Sequence, residues 1–408
     1  MHSHHSHSAL FCSHAHPDSH PEGMLSRAAS LGFKVYGLSE HVPRELEAEL
    51  YPEEVGEGST PKSLFQKWQG YLTEARRLQS RYQREPRNMK VLVGAETEWI
   101  SRQTGRFLSS RVLGGEASSS QTGASLGRGM IDYLVGSVHH AGGIAYPTQS
   151  EQAPLAPVGI PIDFDKATFD RAVDHFKFPE DTAGDDTPAR LRLCLSYFEA
   201  QYQMIDQLRP EVIGHFDLCR LFMPGFVLLP SGESAGKVEA ENPSGVAPLR
   251  EELAKVVDRN VRLAVSYGAL FEINSASLRK SWDTPYPARD VLDRILALGG
   301  RLCLSDDAHG PTHVGISYSA SRSYLLSAGV TSIYHLDLPS EAEQTSWSSQ
   351  GEQSEEDRKK RGSATRPGDG APLTFARGCI AREVTGWERD PFWKGLEERQ
   401  ARLNARKT

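Results

Sequence analysis

Short β-rich apolar runs, most of them ending in or running directly into a histidine or an acid, alternate with helical patterns, and this order limits what the chain can fold into. The runs are VYGLSE (35–40), VLVGAE (91–96), DYLVGSV (132–138), EVIGH (211–215), LFEIN (270–274) and RLCLS (301–305). Helical patterns lie near 22–31 and 62–83, from Pro188 to about Leu208, and over 247–266, 287–298 and 316–327. A β-then-α order predicts a parallel sheet, and at this length an α/β barrel built of (β/α) units. In such a barrel the C-terminal strand ends converge on one face, where active sites sit.

Three stretches interrupt the order. Residues 105–129 are rich in Ser and Gly, 230–247 in Ser, Gly and Pro, and 338–373 are polar and charged. They bury too little apolar surface to repay chain entropy, so they read as mobile loop insertions. Setting them aside leaves one barrel-sized core, and the expectation is a single domain over 1–408. No repeat at a fixed period is present. Net charge is −7, which argues against binding nucleic acid. No apolar run approaches the ~20 residues that span a membrane, and the first residues lack an apolar signal-type segment. A soluble, cytoplasmic enzyme is the expectation. The cysteines number five, with no CxxC pair, so neither a disulfide framework nor a thiolate zinc site is expected.

Histidine is the unusual residue. Of 15, seven fall in MHSHHSHSALFCSHAHPDSH, the first 20 positions. Residues i and i+2 of a strand share a face, so an H-x-H pair can grip one ion. His2/His4, His5/His7 and His14/His16 all have that spacing. A tag or solvated tail is the competing reading, but there is no run of six histidines. The strand ends decide more. They carry Glu40 and His41, then Glu96, then His139 and His140, then His215 and Asp217, and finally Asp306, Asp307 and His309. A lone strand-end histidine means little; five strands ending this way predict a metal site. Imidazoles with carboxylates suit zinc, iron or manganese.

The order of these motifs resembles the PHP superfamily, named for polymerase and histidinol phosphatase domains. The matching pieces are HSHS (5–8), FCSHA (11–15), GLSEHVP (37–43), VGAE (93–96), SVHH (137–140), IGHFDL (213–218) and SDDAHGP (305–311). FEINSASLRK (271–280) and PYP (285–287) are similar to the histidinol-phosphatase branch. The resemblance implies a distorted TIM-like (β/α)7 barrel, the PHP fold, holding two or three divalent metal ions. It implies as ligands His5, His7, His14, His41, Glu96, His139, His215, Asp307 and His309, the Asp-x-His spacing selecting Asp307 over Asp306. Glu96, Asp307 and His309 are then the expected catalytic groups. Arg279 and Lys280, just past the 270–274 run, are expected to bind phosphate, with Asn274 beside them and Arg220 as a second candidate cation. An arginine fork holds two phosphate oxygens at once. Glu98 and Asp217, each two past a ligand, read either as supports for ligand histidines or as surface acids. His16, His20 and His313 read as exposed, and His140 as a support or structural residue.

The implied reaction is hydrolysis of a phosphate monoester, L-histidinol phosphate, to L-histidinol and phosphate in L-histidine biosynthesis. Such hydrolysis is very slow without strong electrostatic help. Glu40, Glu98 and Glu272 are candidate acceptors for the substrate amine. The rivals are a PHP nuclease or phosphoesterase acting on another phosphate ester, a non-catalytic metal-binding protein and a metal-dependent amidohydrolase. The oligomeric state is not legible.

Overall fold

The computed structural model describes residues 1–84, 89–114, 127, 129–143, 158–230, 246–340, 343 and 373–405. Seven parallel strands form one sheet in chain order. They are β1 (His2–Ser3), β2 (Val35–His41), β3 (Lys90–Glu96), β4 (Tyr133–Gly136), β5 (Val212–Ile213), β6 (Leu270–Asn274) and β7 (Arg301–Ser305). The sheet nearly closes on itself: Ser6 bridges Ala308 in parallel, and His7 N–H donates to the Ala308 carbonyl at 2.8 Å. The six apolar runs thus become six of the barrel strands. The seventh, β1, is formed by only two residues, which is why no apolar run announces it.

Helices cover the strands: α1 (Pro21–Leu31), α2 (Pro61–Arg84), α3 (Lys166–His175), α4 (Thr187–Leu208), α5 (Ala247–Ser266), α6 (Arg289–Ala297) and α7 (Tyr318–Ser327). Proline at its first position favours the start of α1, and Gly32, at φ 89, ends it by bonding back to Ala28 and Ala29. On α2 the buried Leu64, Trp68, Tyr71, Ala75, Leu78 and Tyr82 fall on one helical stripe. The Tyr71 hydroxyl sits 2.9 Å from the Leu38 carbonyl and 2.7 Å from that of Gly94, pinning the helix over β2 and β3.

Inside the barrel, Tyr133 crosses from β4 to the first strand and donates its hydroxyl to the His4 carbonyl at 2.8 Å. It passes over Gly94 and Gly37, where a Cβ would come within 2.4 Å and 2.1 Å of the tyrosine. Glycine is required there by close approach. At the opposite end from the strand-end acids, an antiparallel sheet closes the barrel: β8 (Ser332–Asp337), β9 (Leu373–Thr374) and β10 (Ile380–Thr385). Its Leu336, Cys379 and Ala381, with Phe375, pack on Val35, Leu92, Val135, Val212, Leu270 and Cys303. Arg377 ties this cap to the barrel, with Nη1 2.8 Å from Glu211 Oε2 and Nη2 donating to the Leu208 carbonyl at 2.6 Å.

The segment expected to be a loop over 105–129 begins differently. Arg102–Phe107 is helical, and a wider turn continues to Val112. Phe107, Leu108, Val112 and Leu113 are buried, apolar residues that the Ser/Gly-rich composition had masked. Residues 115–126 and 128, 231–245, and 341–342 with 344–372 lie outside the described residues, and with them most of the expected insertions. All five cysteines are free and buried. Among the described residues no helix is long and apolar enough to cross a membrane.

Candidate metal centre

Glu96 ends β3, in register with His41 at the end of β2. Five imidazoles surround its carboxylate. Oε1 lies 3.0 Å from His5 Nε2, 3.1 Å from His215 Nε2 and 3.4 Å from His139 Nε2. Oε2 lies 3.0 Å from His41 Nδ1 and 3.3 Å from His7 Nε2. Asp307 Oδ1 faces the same group, 3.3 Å from His7 Nε2, 3.6 Å from His309 Nδ1 and 3.8 Å from His5 Nε2. His14 and His309 bring their Nε2 atoms to 3.1 Å, and the other His14 nitrogen is 3.0 Å from Glu53. All nine residues singled out as ligands therefore stand in one cluster. Asp307 has φ 47, a left-handed conformation costly for a residue with a Cβ.

The neighbouring alternatives are used elsewhere. Asp306 turns away and takes the Ser3 hydroxyl at 2.9 Å and the Gly315 N–H at 2.8 Å. His2 and His4 lie beneath the cluster as bricks of the barrel floor, their Nε2 atoms accepting N–H groups of Leu304 (2.9 Å) and Leu336 (3.0 Å). His16 is exposed, while His140 is buried against Tyr51.

Buried acids orient the rings. Glu272 accepts His5 Nδ1–H at 2.7 Å and the Ser305 hydroxyl on one oxygen. On the other it accepts the His215 backbone N–H at 2.6 Å and the Asn274 amide at 3.0 Å. Glu98 lies 2.9 Å from His41 Nδ1 and 3.1 Å from His139 Nδ1. Such partners fix which ring nitrogen points inward. Burial disfavours charge on every group here, but mutual attraction reverses the outcome for several. His5 is held well above the ordinary imidazole value by Glu96, Glu272 and Asp307, and His7 rises to about 9 through Asp307 and Glu40. His41 falls to about 3, because burial and the neighbouring His7 outweigh Glu96 and Glu98. Glu96 and Asp307 are both held well below the ordinary carboxylate range by the imidazoles, against burial.

The cluster opens into a cavity of ≈ 440 Å³. Arg279 and Lys280 line it, as does His313, which had been read as exposed. Arg279 docks Nη1 on the Asp306 carbonyl at 2.6 Å and Nη2 on that of Asp307 at 2.8 Å, leaving its other N–H groups for a ligand. Two expected phosphate contacts are placed otherwise. Asn274 does not line the cavity; its amide holds Glu272 and Asp307 (3.3 Å), and its oxygen takes the Ala276 N–H. Arg220 is buried and committed to Asp217 and Asp290, so Asp217 serves that ion pair rather than His215. Glu40, Glu98 and Glu272 also stay off the cavity wall. Asp163, Phe164, Tyr51 and Tyr286 do line it; Tyr286 belongs to the PYP piece, and the other three were not singled out from the sequence. They belong to no strand-end motif.

The donor set fits metal ions. Four overlapping groups bring their donor atoms within 4.8 Å of one another: His5, His7, Glu96; His5, His215, Asp307; Glu96, His139, His215; and His7, Cys12, His41, His309. His41 Nε2 is buried with no hydrogen-bond partner among the described residues. Lone pairs left bare in a polar interior await a cation.

Comparison with known proteins agrees with this arrangement. The PHP domain matches residues 3–276. The chain belongs to the PHP family. It is 35% identical over 329 residues to a Schizosaccharomyces pombe protein named as a probable histidinol-phosphatase, covering 81% of this chain and 87% of that one. It is 31% identical over 337 residues to the Saccharomyces cerevisiae histidinol-phosphatase, covering 80% and 88%. A solved Listeria monocytogenes structure, described as a "putative histidinol phosphatase", superposes with a TM-score of 0.53 at 19% identity, over 78% of this chain and 99% of that one. That last likeness is one of fold, and it makes the nearly closed barrel the distorted TIM-like barrel of PHP proteins.

Proposed function

We propose that this PHP chain, one domain over 1–408, is a histidinol-phosphatase that hydrolyses L-histidinol phosphate to L-histidinol and phosphate. One observation carries the reading: the imidazole and carboxylate cluster shares a single cavity with Arg279 and Lys280, so cation sites and phosphate-binding cations meet. The names of the two yeast relatives support the substrate. His5, His7, His14, His41, Glu96, His139, His215, Asp307 and His309 would hold two or three divalent ions, of zinc, iron or manganese. Such ions supply Lewis acidity and activate water for attack on phosphorus. Glu96 sits at the centre of the donors and balances their positive charge. Glu98 and Glu272 keep the His139 and His5 rings turned inward. Arg279, fixed by two backbone carbonyls, presents its free N–H groups to phosphate oxygens without reorganising. Lys280 adds a second positive charge from a longer stem.

The test is phosphate release from L-histidinol phosphate against a panel of monoesters and bis(p-nitrophenyl) phosphate, with and without a chelator. A preference for L-histidinol phosphate, lost on chelation and regained with added metal, is expected. Equal rates on all monoesters would remove the assigned substrate. Activity that survives thorough chelation would remove the metal.

A further inference from the structure

The substrate reading leaves one end of the molecule unassigned. L-histidinol phosphate carries a cationic amine and an imidazole as well as a phosphate, and the three acids first considered for the amine do not line the cavity. Asp163 does. After β4, residues His140–Ala141 pair antiparallel with Ile160–Pro161, and the Ile162 N–H donates to the His139 carbonyl at 2.9 Å. This return places Asp163 and Phe164 at the barrel mouth, beside a metal-site histidine.

Two facts mark the pair. Asp163 Oδ1 is buried yet has no hydrogen-bond partner among the described residues. The residue as a whole is only part-buried, so the side chain keeps accessible surface where it lines the cavity. Phe164, the next residue, is 42% exposed, one of three large apolar side chains so exposed among the described residues. It lines the same cavity, with Tyr51 and Tyr286. The cavity wall thus carries cations after β6, a Glu53 carboxylate already paired with His14 after β2, and an anion with an exposed aromatic ring after β4.

We infer that Asp163 is a specificity-determining residue that accepts N–H groups from the protonated amine of an aminoalkyl phosphate, with Phe164 covering the attached ring. The inference rests on the phosphatase reading and adds which end of the substrate lies where. It accounts for how a site built around phosphate distinguishes one monoester from another. Arg279 and Lys280 bind a group common to all of them, whereas Asp163 binds a group that only some possess.

The experiment measures kcat/KM for L-histidinol phosphate and for phenyl phosphate, which lacks an amine, in the full chain and in Asp163→Asn and Asp163→Ala. Losing a hydrogen bond to a charged acceptor lowers the ratio of the two values by about 10–100-fold. Weaker inhibition by the product L-histidinol, with inhibition by inorganic phosphate falling less, is expected alongside. An unchanged ratio in folded Asp163→Asn overturns the inference, whatever happens to either rate alone. If the wild-type protein prefers O-phosphoethanolamine to L-histidinol phosphate and Asp163→Asn weakens both relative to phenyl phosphate, Asp163 keeps its role and the assigned substrate falls. If the wild-type protein prefers L-histidinol phosphate to the other monoesters and the variant keeps that preference over phenyl phosphate undiminished, the substrate stands and Asp163 falls.

Discussion

Glu272→Gln removes one charge without changing shape, and its effect can be worked out atom by atom. Each Glu272 oxygen accepts two hydrogen bonds: His5 Nδ1 and Ser305 on one, His215 N–H and Asn274 on the other. A glutamine amide offers one acceptor oxygen and one donor NH2. If the NH2 replaces Oε2, it meets the His215 N–H and the Asn274 amide, both donors. If it replaces Oε1, the Ser305 hydroxyl can turn, but His5 must move its proton to Nε2, the atom that faces Glu96 and Asp307. The first orientation loses two bonds to a charged acceptor, at about 1.5–3 kcal/mol each, and the second keeps its contacts only by forcing the other His5 tautomer. The loss in the first orientation is about 3–6 kcal/mol, equivalent to a fall in Tm of roughly 4–7 °C for a chain of 408 residues. Disturbing a partner of a metal-holding histidine also weakens metal affinity by about 10–100-fold. Thermal unfolding of metal-free protein and competition for metal against a chromophoric chelator measure the two effects separately. An unchanged Tm together with unchanged metal affinity would refute the reasoning.

Three further outcomes are expected. Glu96→Gln should fold yet lose more than about 100-fold in turnover, beyond the usual effect of an outer partner; near-normal turnover in a steady-state assay would contradict its central place. Gly94→Ala puts a methyl group 2.4 Å from the Tyr133 ring and should cost about 1–3 kcal/mol in denaturant unfolding; an unchanged midpoint would show that the ring can move aside. Burial pushes Asp290 up, but Arg220 holds it below its ordinary value, so its charge contributes stability above the ordinary aspartate pKa of about 3.9 and loses it as pH falls through the depressed one. The penalty of Asp290→Asn in denaturant unfolding should therefore be full near neutrality and shrink below about pH 4; a pH-independent penalty would contradict that.

Much of this was legible because barrel strands buried on both faces are short apolar runs, and their ends are fixed by the change to polar residues. Glu96 and His215 were legible as site candidates for the same reason, each closing such a run, whereas His5, His7 and His14 follow no apolar run and rested on their H-x-H spacing and the family resemblance. β1 was hidden because two residues carry no pattern, and β8 and β10 because half-buried strands such as IAREVT mix charge with apolar residues. Arg220 was misread because its partners sit at Asp217, within one turn, and at Asp290, 70 residues on. Asn274 was placed correctly at a strand tip, but which way its amide turns depends on Glu272 and Asp307. Asp163 and Phe164 gave no signal, because only the pairing of 140–141 with 160–161 brings them to the mouth.

The cluster around Glu96 draws on residues from His5 to His309, with β1 closing against the segment after β7. That span has a consequence for biosynthesis. During translation the histidine-rich first segment leaves the ribosome long before Asp307 and His309 exist. Until they do, His5 lacks Asp307, His7 lacks Asp307 and His309, and the barrel has an open edge. Pairings between distant segments form late in folding. The protein acquires its ion-holding geometry as the last act of closure, so loading belongs to the completed chain. A nascent chain stalled before residue 307 would carry the same histidines as an open, unselective chelating tail.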